Sequence, residues 1–135
     1  MATTLTIWLP GTAVSVNAMY QRTRRGMCLT RKTREWKAFV QETVTYEAIA
    51  AGFPLCERLR AVTISVRWQS QRGDVDNILK ALNDGIAAGL GVNDKIFSIG
   101  SAVRVWQGHD IRPGVWVTIE ATEVVAERGK KKGAA

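Results

Sequence analysis

Ala61-Val-Thr-Ile-Ser-Val-Arg-Trp-Gln69, Ser70-Gln-Arg-Gly73 and Asp74-Val-Asp-Asn-Ile-Leu-Lys-Ala-Leu-Asn-Asp84 form the continuous stretch that decides the fold. In its first part Val62, Ile64, Val66 and Trp68 alternate with other residues. Side chains of a strand point to alternate faces, so these four share one side. Ser70 to Gly73 has turn composition. The period then changes. Ile78, Leu79, Leu82 and Ile86 recur at helical spacing, which predicts a helix from Asp76 or Asn77 to about residue 88, ended by Gly89 and Gly91.

Outward from this unit, Thr4-Leu-Thr-Ile-Trp-Leu9 alternates as a strand and meets Pro10-Gly11. Residues 11 to 30 keep no period and hold Arg22, Arg24 and Arg25, which reads as a basic loop. Thr30 or Thr33 offers an N-cap for a helix over about residues 33 to 50, with Trp36, Phe39, Val40, Thr43 and Tyr46 along one side and Gly52 and Pro54 closing it. Two strands are expected near 96 to 107 and 115 to 124, joined by a hairpin turn from His109 to Gly114. The order is β-α-β-α-β-β. The fold class is α/β of the α+β type: a single small domain with a mixed β-sheet and two main helices, without internal repeats. Residues 127 to 135, Glu-Arg-Gly-Lys-Lys-Lys-Gly-Ala-Ala, read as a basic flexible tail after a domain spanning 1 to 126.

The chain has 135 residues, enough for one core without a disulfide or metal staple. No apolar run approaches the ~20 residues of a membrane helix, and Met1 to Trp8 does not resemble a signal peptide. Cys28, Cys56 and the single His109 lack the paired spacing of a zinc site, so reduced thiols in a cytoplasmic protein are expected. A net charge of +7 favours polyanionic partners, nucleic acid before acidic membrane.

Candidate chemistry lies in Asp74-Val-Asp76-Asn-Ile-Leu-Lys80. In extended backbone, carboxylates two residues apart point the same way. They repel, and a hard cation that prefers oxygen ligands relieves the repulsion. Lys80 follows Asp76 by four residues, and Asp84 follows Lys80 by four, so the three share a helix face. Asp94 lies beyond the helix in Gly91-Val-Asn-Asp94 and joins the others only if tertiary folding brings it back. Three converging carboxylates and a lysine would suit metal-assisted phosphodiester hydrolysis, with Lys80 offsetting charge on the phosphate or orienting the water. Each residue also has an ordinary role: Asp76 as helix cap, Lys80 as ion-pair partner, Asp94 as turn residue.

Taken together, Asp74-Val-Asp76-Asn77-Ile-Leu-Lys80, Leu82-Asn-Asp84 and Gly-Val-Asn-Asp94 resemble the signature of the RusA family of Holliday junction resolvases, crossover junction endodeoxyribonucleases. In that family an Asp-x-Asp-Asn-x-x-Lys segment opens a helix after a strand, and a further Asp follows the helix. The strand ending in Pro10, then Ser15-Val-Asn17, a basic loop and a helix extend the resemblance to residues 4 to 124. It implies a homodimer that binds four-way DNA junctions by their structure and makes paired, symmetric nicks with Mg²⁺, or Mn²⁺ as substitute. Carried over, the metal ligands are Asp74, Asp76 and Asp94, the catalytic lysine is Lys80, and Asn77 is structural. The family often has two adjacent acids where this chain has Asn93-Asp94, and the proline-rich stretch after the first strand is reduced here to Pro10. A bacterial or phage cytoplasm is the setting such a resolvase implies.

Arg22, Arg24, Arg25, Arg31, Lys32 and Arg34, with Arg72 beside the acidic pair, are the expected phosphate contacts. Trp8, Trp36, Trp68, Trp106 and Trp116 could stack on unpaired bases, but their strand and helix positions point first to packing. Two other activities fit the same residues: a looser nuclease of flaps and branched DNA, and a basic DNA-binding protein without catalysis.

Overall fold

The computed structural model describes residues 3–106 and 111–126. Eight main elements follow one another: β1 (Thr4–Pro10), the hairpin β2 (Tyr20–Thr23) and β3 (Gly26–Leu29), α1 (Arg31–Ala51), β4 (Leu59–Gln69), α2 (Asp76–Leu90), β5 (Phe97–Val105) and β6 (Gly114–Val124). Short 3-10 turns occupy Val16–Ala18, Cys56–Arg58 and Asp94–Ile96.

The central unit forms as its periodicity predicts. Along β4, Val62, Ile64 and Val66 are buried and Trp68 is half-buried against the same core. The chain then crosses back through α2, and β5 returns parallel to β4, with Val62 opposite Phe97 and Gln69 opposite Val105. β6 lies on the other side of β4, antiparallel to it and to β1, giving the mixed four-stranded order β1-β6-β4-β5.

That order corrects one expectation. β5 and β6 are not hairpin partners, because β4 stands between them. The crossover has already set β5 against one edge of β4, so the returning strand takes the free edge on the other side. Val105 at the end of β5 and Gly114 at the start of β6 therefore flank Gln69 of β4 on opposite sides. His109 and Asp110, the first two residues of the expected turn, lie outside the described residues, as does the basic tail 127–135.

Both helices lie against the sheet face that carries Leu5, Ile7, Val62, Ile64, Val117 and Ile119, all buried. The stripe that α1 buries runs through Thr33, Trp36, Val40, Val44 and Ala48. Phe39 and Tyr46, expected on that stripe, are exposed, while Thr43 is half-buried. After Thr33 and Trp36 the buried positions recur every four residues through Val40, Val44 and Ala48, which leaves Phe39 and Tyr46 off the stripe. The helix starts at Arg31 because the Thr30 hydroxyl accepts from the Thr33 N–H, and it ends at Gly52 in the left-handed conformation.

α2 buries Ile78, Leu82 and Ile86, as the spacing predicts. Gly89, expected to end α2, lies inside it. Gly85 and Gly89 are the points of closest approach to α1: a Cβ at Gly85 would sit 2.7 Å from Val40 Cβ, and one at Gly89 2.8 Å from the Gln41 carbonyl. The true stop is Gly91, at φ 71°.

The expected loop over residues 11 to 30 is more ordered than its sequence suggests. β2 and β3 pair from Tyr20–Leu29 to Thr23–Gly26, so Arg24 and Arg25 form the hairpin tip. The Thr23 hydroxyl closes it by donating to the Gly26 carbonyl and accepting from the Arg25 N–H. The hairpin base is anchored on buried Met19, whose carbonyl accepts from the Thr30 N–H and the Thr33 hydroxyl.

Candidate active site

The segment after β4 folds as a helical turn. Val75 has φ −58° and ψ −32°, and the Asn77 N–H donates to the Asp74 carbonyl at 3.0 Å. Asp74 and Asp76 are therefore not on one face of an extended chain, as the sequence reading expected. Residues two apart in a helical turn face different ways. They are coupled through the backbone instead: Asp74 Oδ1 accepts from the Asp76 N–H at 3.2 Å. Asp74 takes the capping role, and Asp76 sits in the first turn of α2 without making a side-chain cap. Both carboxylates are exposed at the positive end of the helix dipole, which favours negative charge there.

One turn on, Lys80 Nζ donates to Asp84 Oδ1 at 3.3 Å. Asp84 Oδ2 also meets Lys37 of α1 at 3.4 Å. Of the two carboxylates four residues from Lys80, the bonded one is Asp84, the partner on its C-terminal side. The pKa of Lys80 is raised above its ordinary value, first by the hydrogen bond to Asp84 and by that carboxylate's charge, then by Asp94 and Tyr20, against a small opposing effect of burial. Lys80 is thus the point where α2, the Asp94 turn and the base of the basic hairpin meet electrostatically.

Asp94 is exposed and opens the 3-10 turn before β5, capped by Asn93, whose side-chain oxygen accepts from the Lys95 N–H at 3.0 Å. The strand register puts this turn near the start of β4, whereas Asp74 follows its end. α2, with 15 residues, separates the two by roughly 22 Å of helix. Among the described residues no group of three or more His, Cys, Asp or Glu side chains is arranged to hold a metal ion. One chain brings together Lys80, Asp84 and Lys37, with Asp94 acting on Lys80 at longer range. Asp74 and Asp76 form a separate pair.

That pair suits a hard cation by its chemistry. All its donors are carboxylate oxygens, and only Asp74 Oδ1 is engaged, by a single backbone N–H. Mg²⁺ is commonly held by one or two carboxylates together with water and substrate oxygens.

Arg22, Arg24, Arg25, Arg31, Lys32, Arg34 and Arg72 are all exposed. Arg31 is paired with Glu35 at 2.8 Å, and Arg34 donates to the Leu29 carbonyl at 2.8 Å. The side chains of Arg22, Arg24 and Arg25 have no hydrogen-bonding or ionic partner among the described residues. Sequence reasoning missed Asp84 as the group that holds Lys80, although its four-residue spacing was visible. It also missed Tyr20, which reaches Lys80 only through the hairpin fold.

Both cysteines are free. Among the described residues no helix is long and apolar enough to cross a membrane. Comparison with curated proteins gives no match. Comparison with family models matches residues 10–120 to Endodeoxyribonuclease RusA. The match runs from the end of β1 into β6 and contains the Asp74–Lys80 segment, Asp94 and the basic hairpin. The chain belongs to the RusA endodeoxyribonuclease family, metal-dependent nucleases that act on Holliday junctions.

Proposed function

We propose that the chain cuts four-way DNA junctions as a homodimer, with Mg²⁺ held by Asp74 and Asp76, and Mn²⁺ able to replace it. The observation that carries this reading is the turn at the start of α2. Two exposed carboxylates sit there, anchored by one backbone bond, one helical turn before a lysine kept charged by Asp84. When bound, the metal supplies an activated water and offsets charge on the scissile phosphate.

The protein's own groups do the rest. Lys80, with its proton held by Asp84, faces the phosphate as a fixed positive charge at neutral pH. Arg24 and Arg25 at the hairpin tip, Arg22 along the hairpin and Arg72 beside Asp74 grip neighbouring phosphates, supported by Arg31, Lys32 and Arg34 at the start of α1. Asp94, expected as a third ligand, stands at the far end of α2 from Asp74 and acts through its charge on Lys80.

A two-fold dimer gives two such sites for the two strands of a symmetric junction. β5 is an open sheet edge with Ile99 and Val103 exposed, a surface that a second copy would cover. Free thiols at Cys28 and Cys56 suit a reducing cytoplasm. We assign residues 1–126 to the nuclease domain and 127–135 to a basic tail.

The test is cleavage of a labelled synthetic four-way junction with and without Mg²⁺, wild type beside Asp76→Asn. Paired nicks only from wild type with metal, with linear duplex and flap spared, support the reading. Tight binding without cutting under either metal would overturn it. A monomeric mass by light scattering at micromolar concentration would remove the dimer.

A further inference from the structure

Where β4 ends and the chain turns toward Asp74, the surface opens into a cavity of about 620 Å³. Cavities of this size hold small planar ligands. Its walls include Trp68 near the end of β4, Trp106 just after β5, and Gln71 and Arg72 of the turn. Both indoles are half-buried. The other three tryptophans are committed elsewhere: Trp36 to the core, and Trp8 and Trp116 to each other, with ring centroids 5.0 Å apart.

The cavity is held rigid from both sides. Gly73, at φ 112°, passes so close to Trp68 that a Cβ there would lie 2.7 Å from the indole ring. Arg104 donates to the carbonyls of Ser70 and Gln71, both at 3.1 Å, and the Ser70 N–H donates to Val105 at 3.1 Å. These bonds tie the turn to β5. An aromatic wall already fixed in place loses little freedom when a flat ring stacks on it. Arg72 stands at the rim, and Asp74 follows two residues later, at most ~7 Å along the backbone.

We infer that the cavity between Trp68 and Trp106 takes an unstacked nucleobase of the branched DNA, from a nucleotide next to the phosphate that is cut. The inference rests on the nuclease reading and adds a source of selectivity to it. Bases inside a continuous duplex are stacked on both sides and cannot enter without an unstacking penalty. Bases at a branch point have already lost part of that stacking. The cavity therefore favours junctions over linear duplex beside the catalytic carboxylates, while the arginines bind phosphates of either. The Gln71 amide, with donor and acceptor at the rim, can read the edge of the entering base.

The test uses the full chain carrying Asp76→Asn, which keeps junctions uncut in Mg²⁺. Affinity is measured by fluorescence anisotropy for an intact four-way junction and for a series with one abasic nucleotide at each position within two of the branch point. Trp106→Ala is expected to weaken binding of the intact junction about 5- to 100-fold, and Trp106→Phe to restore most of it. At one position, removing the base should weaken the Trp106 protein to a similar extent and add nothing to Trp106→Ala.

Additive losses at every position, or an intact-junction affinity unchanged by Trp106→Ala, would overturn the inference. If Trp106→Ala fails to fold, the abasic series with intact Trp106 still decides, because an affinity indifferent to every missing base also overturns it. Cleavage by the protein with Asp76 intact is followed in parallel. Failure to cut any junction sinks the nuclease reading, whereas normal cutting with additive affinities sinks the base cavity alone.

Discussion

Replacing Gly85 by Ala pits two effects of known size against each other. In the interior of a helix, Ala is favoured over Gly by about 1 kcal/mol, so the change would ordinarily stabilise α2. Gly85, however, faces α1. Its new Cβ would lie 2.7 Å from Val40 Cβ, 2.8 Å from Val40 Cγ1 and 3.2 Å from the Lys37 carbonyl. Val40 is fully buried and β-branched, so it cannot swing away, and the backbone of Lys37 closes the other side. Overpacking of this kind costs typically 1–3 kcal/mol, and contacts this short belong at the upper end or beyond. The clash wins, leaving a net loss of about 2 kcal/mol or more.

For a chain of this size that is a fall in Tm of roughly 4–10 °C, or a urea midpoint lower by about 1 M. The assay is thermal and urea unfolding of Gly85→Ala, Val40→Ala and the double variant. The double variant should lose less than the sum of the singles, because removing Val40 Cγ1 relieves part of the clash. The effect extends to the site: forcing α1 from α2 separates Lys37 from Asp84, the carboxylate that holds Lys80. Cleavage should therefore fall with stability. A Gly85→Ala protein more stable than wild type would refute the close approach of the two helices.

Four further outcomes follow from the same geometry. Asp76→Asn should lower junction cleavage about a thousandfold or more with little change in fold, since its side chain caps nothing, and chelation of the metal should abolish wild-type cleavage. In Lys80-resolved NMR titration of the metal-free protein, Lys80 should lose its proton at higher pH than an ordinary lysine. Asp84→Asn should bring that step down, because it removes the charge that favours the ammonium. The sign for stability follows: a raised folded-state pKa stabilises below the unfolded value of about 10.4, and the benefit is lost as pH rises through the folded pKa. Lys80 is half exposed, so this contribution stays below ~1 kcal/mol. Reversing Arg24 and Arg25 to Glu should reduce the salt slope of junction binding by about two or more, read from anisotropy at several salt concentrations.

What the sequence made legible was whatever depends on neighbours a few residues away. β4 and α2 could be placed because each buries one face and the period switches from two to 3.6 at Ser70–Gly73. Thr30 and Gly52 bound α1 through their own local chemistry. The β2–β3 hairpin could not be placed this way. Its strands have four residues each, none fully buried, so no apolar alternation marks them. Gly26, in a backbone conformation that few other residues adopt, was the one available sign of its turn. Likewise Gly89 reads as a stop in sequence, but it is a contact point with α1, because nothing in α2 reports how near another helix will come.

The site divides along the same line. Asp74, Asp76, Lys80 and Asp84 lie within eleven residues, so turn and helix geometry alone fix their relations, and their spacing could be read directly. Asp94 belongs with them only through the β4–α2–β5 crossover, and parallel pairing of β4 with β5 sends it to the far end of α2. Its influence on Lys80 is therefore electrostatic. A lysine between two separated acidic positions differs from one inside a single acidic cluster. Its charge is balanced by Asp84 before any metal or DNA arrives, so it need not be neutralised by the carboxylates that a metal requires. That division leaves Asp74 and Asp76 available to a cation, while Lys80 stays protonated on Asp84 and, in the proposed function, faces the phosphate. A local four-residue pair in α2, rather than the acidic pair itself, therefore sets the charge of Lys80.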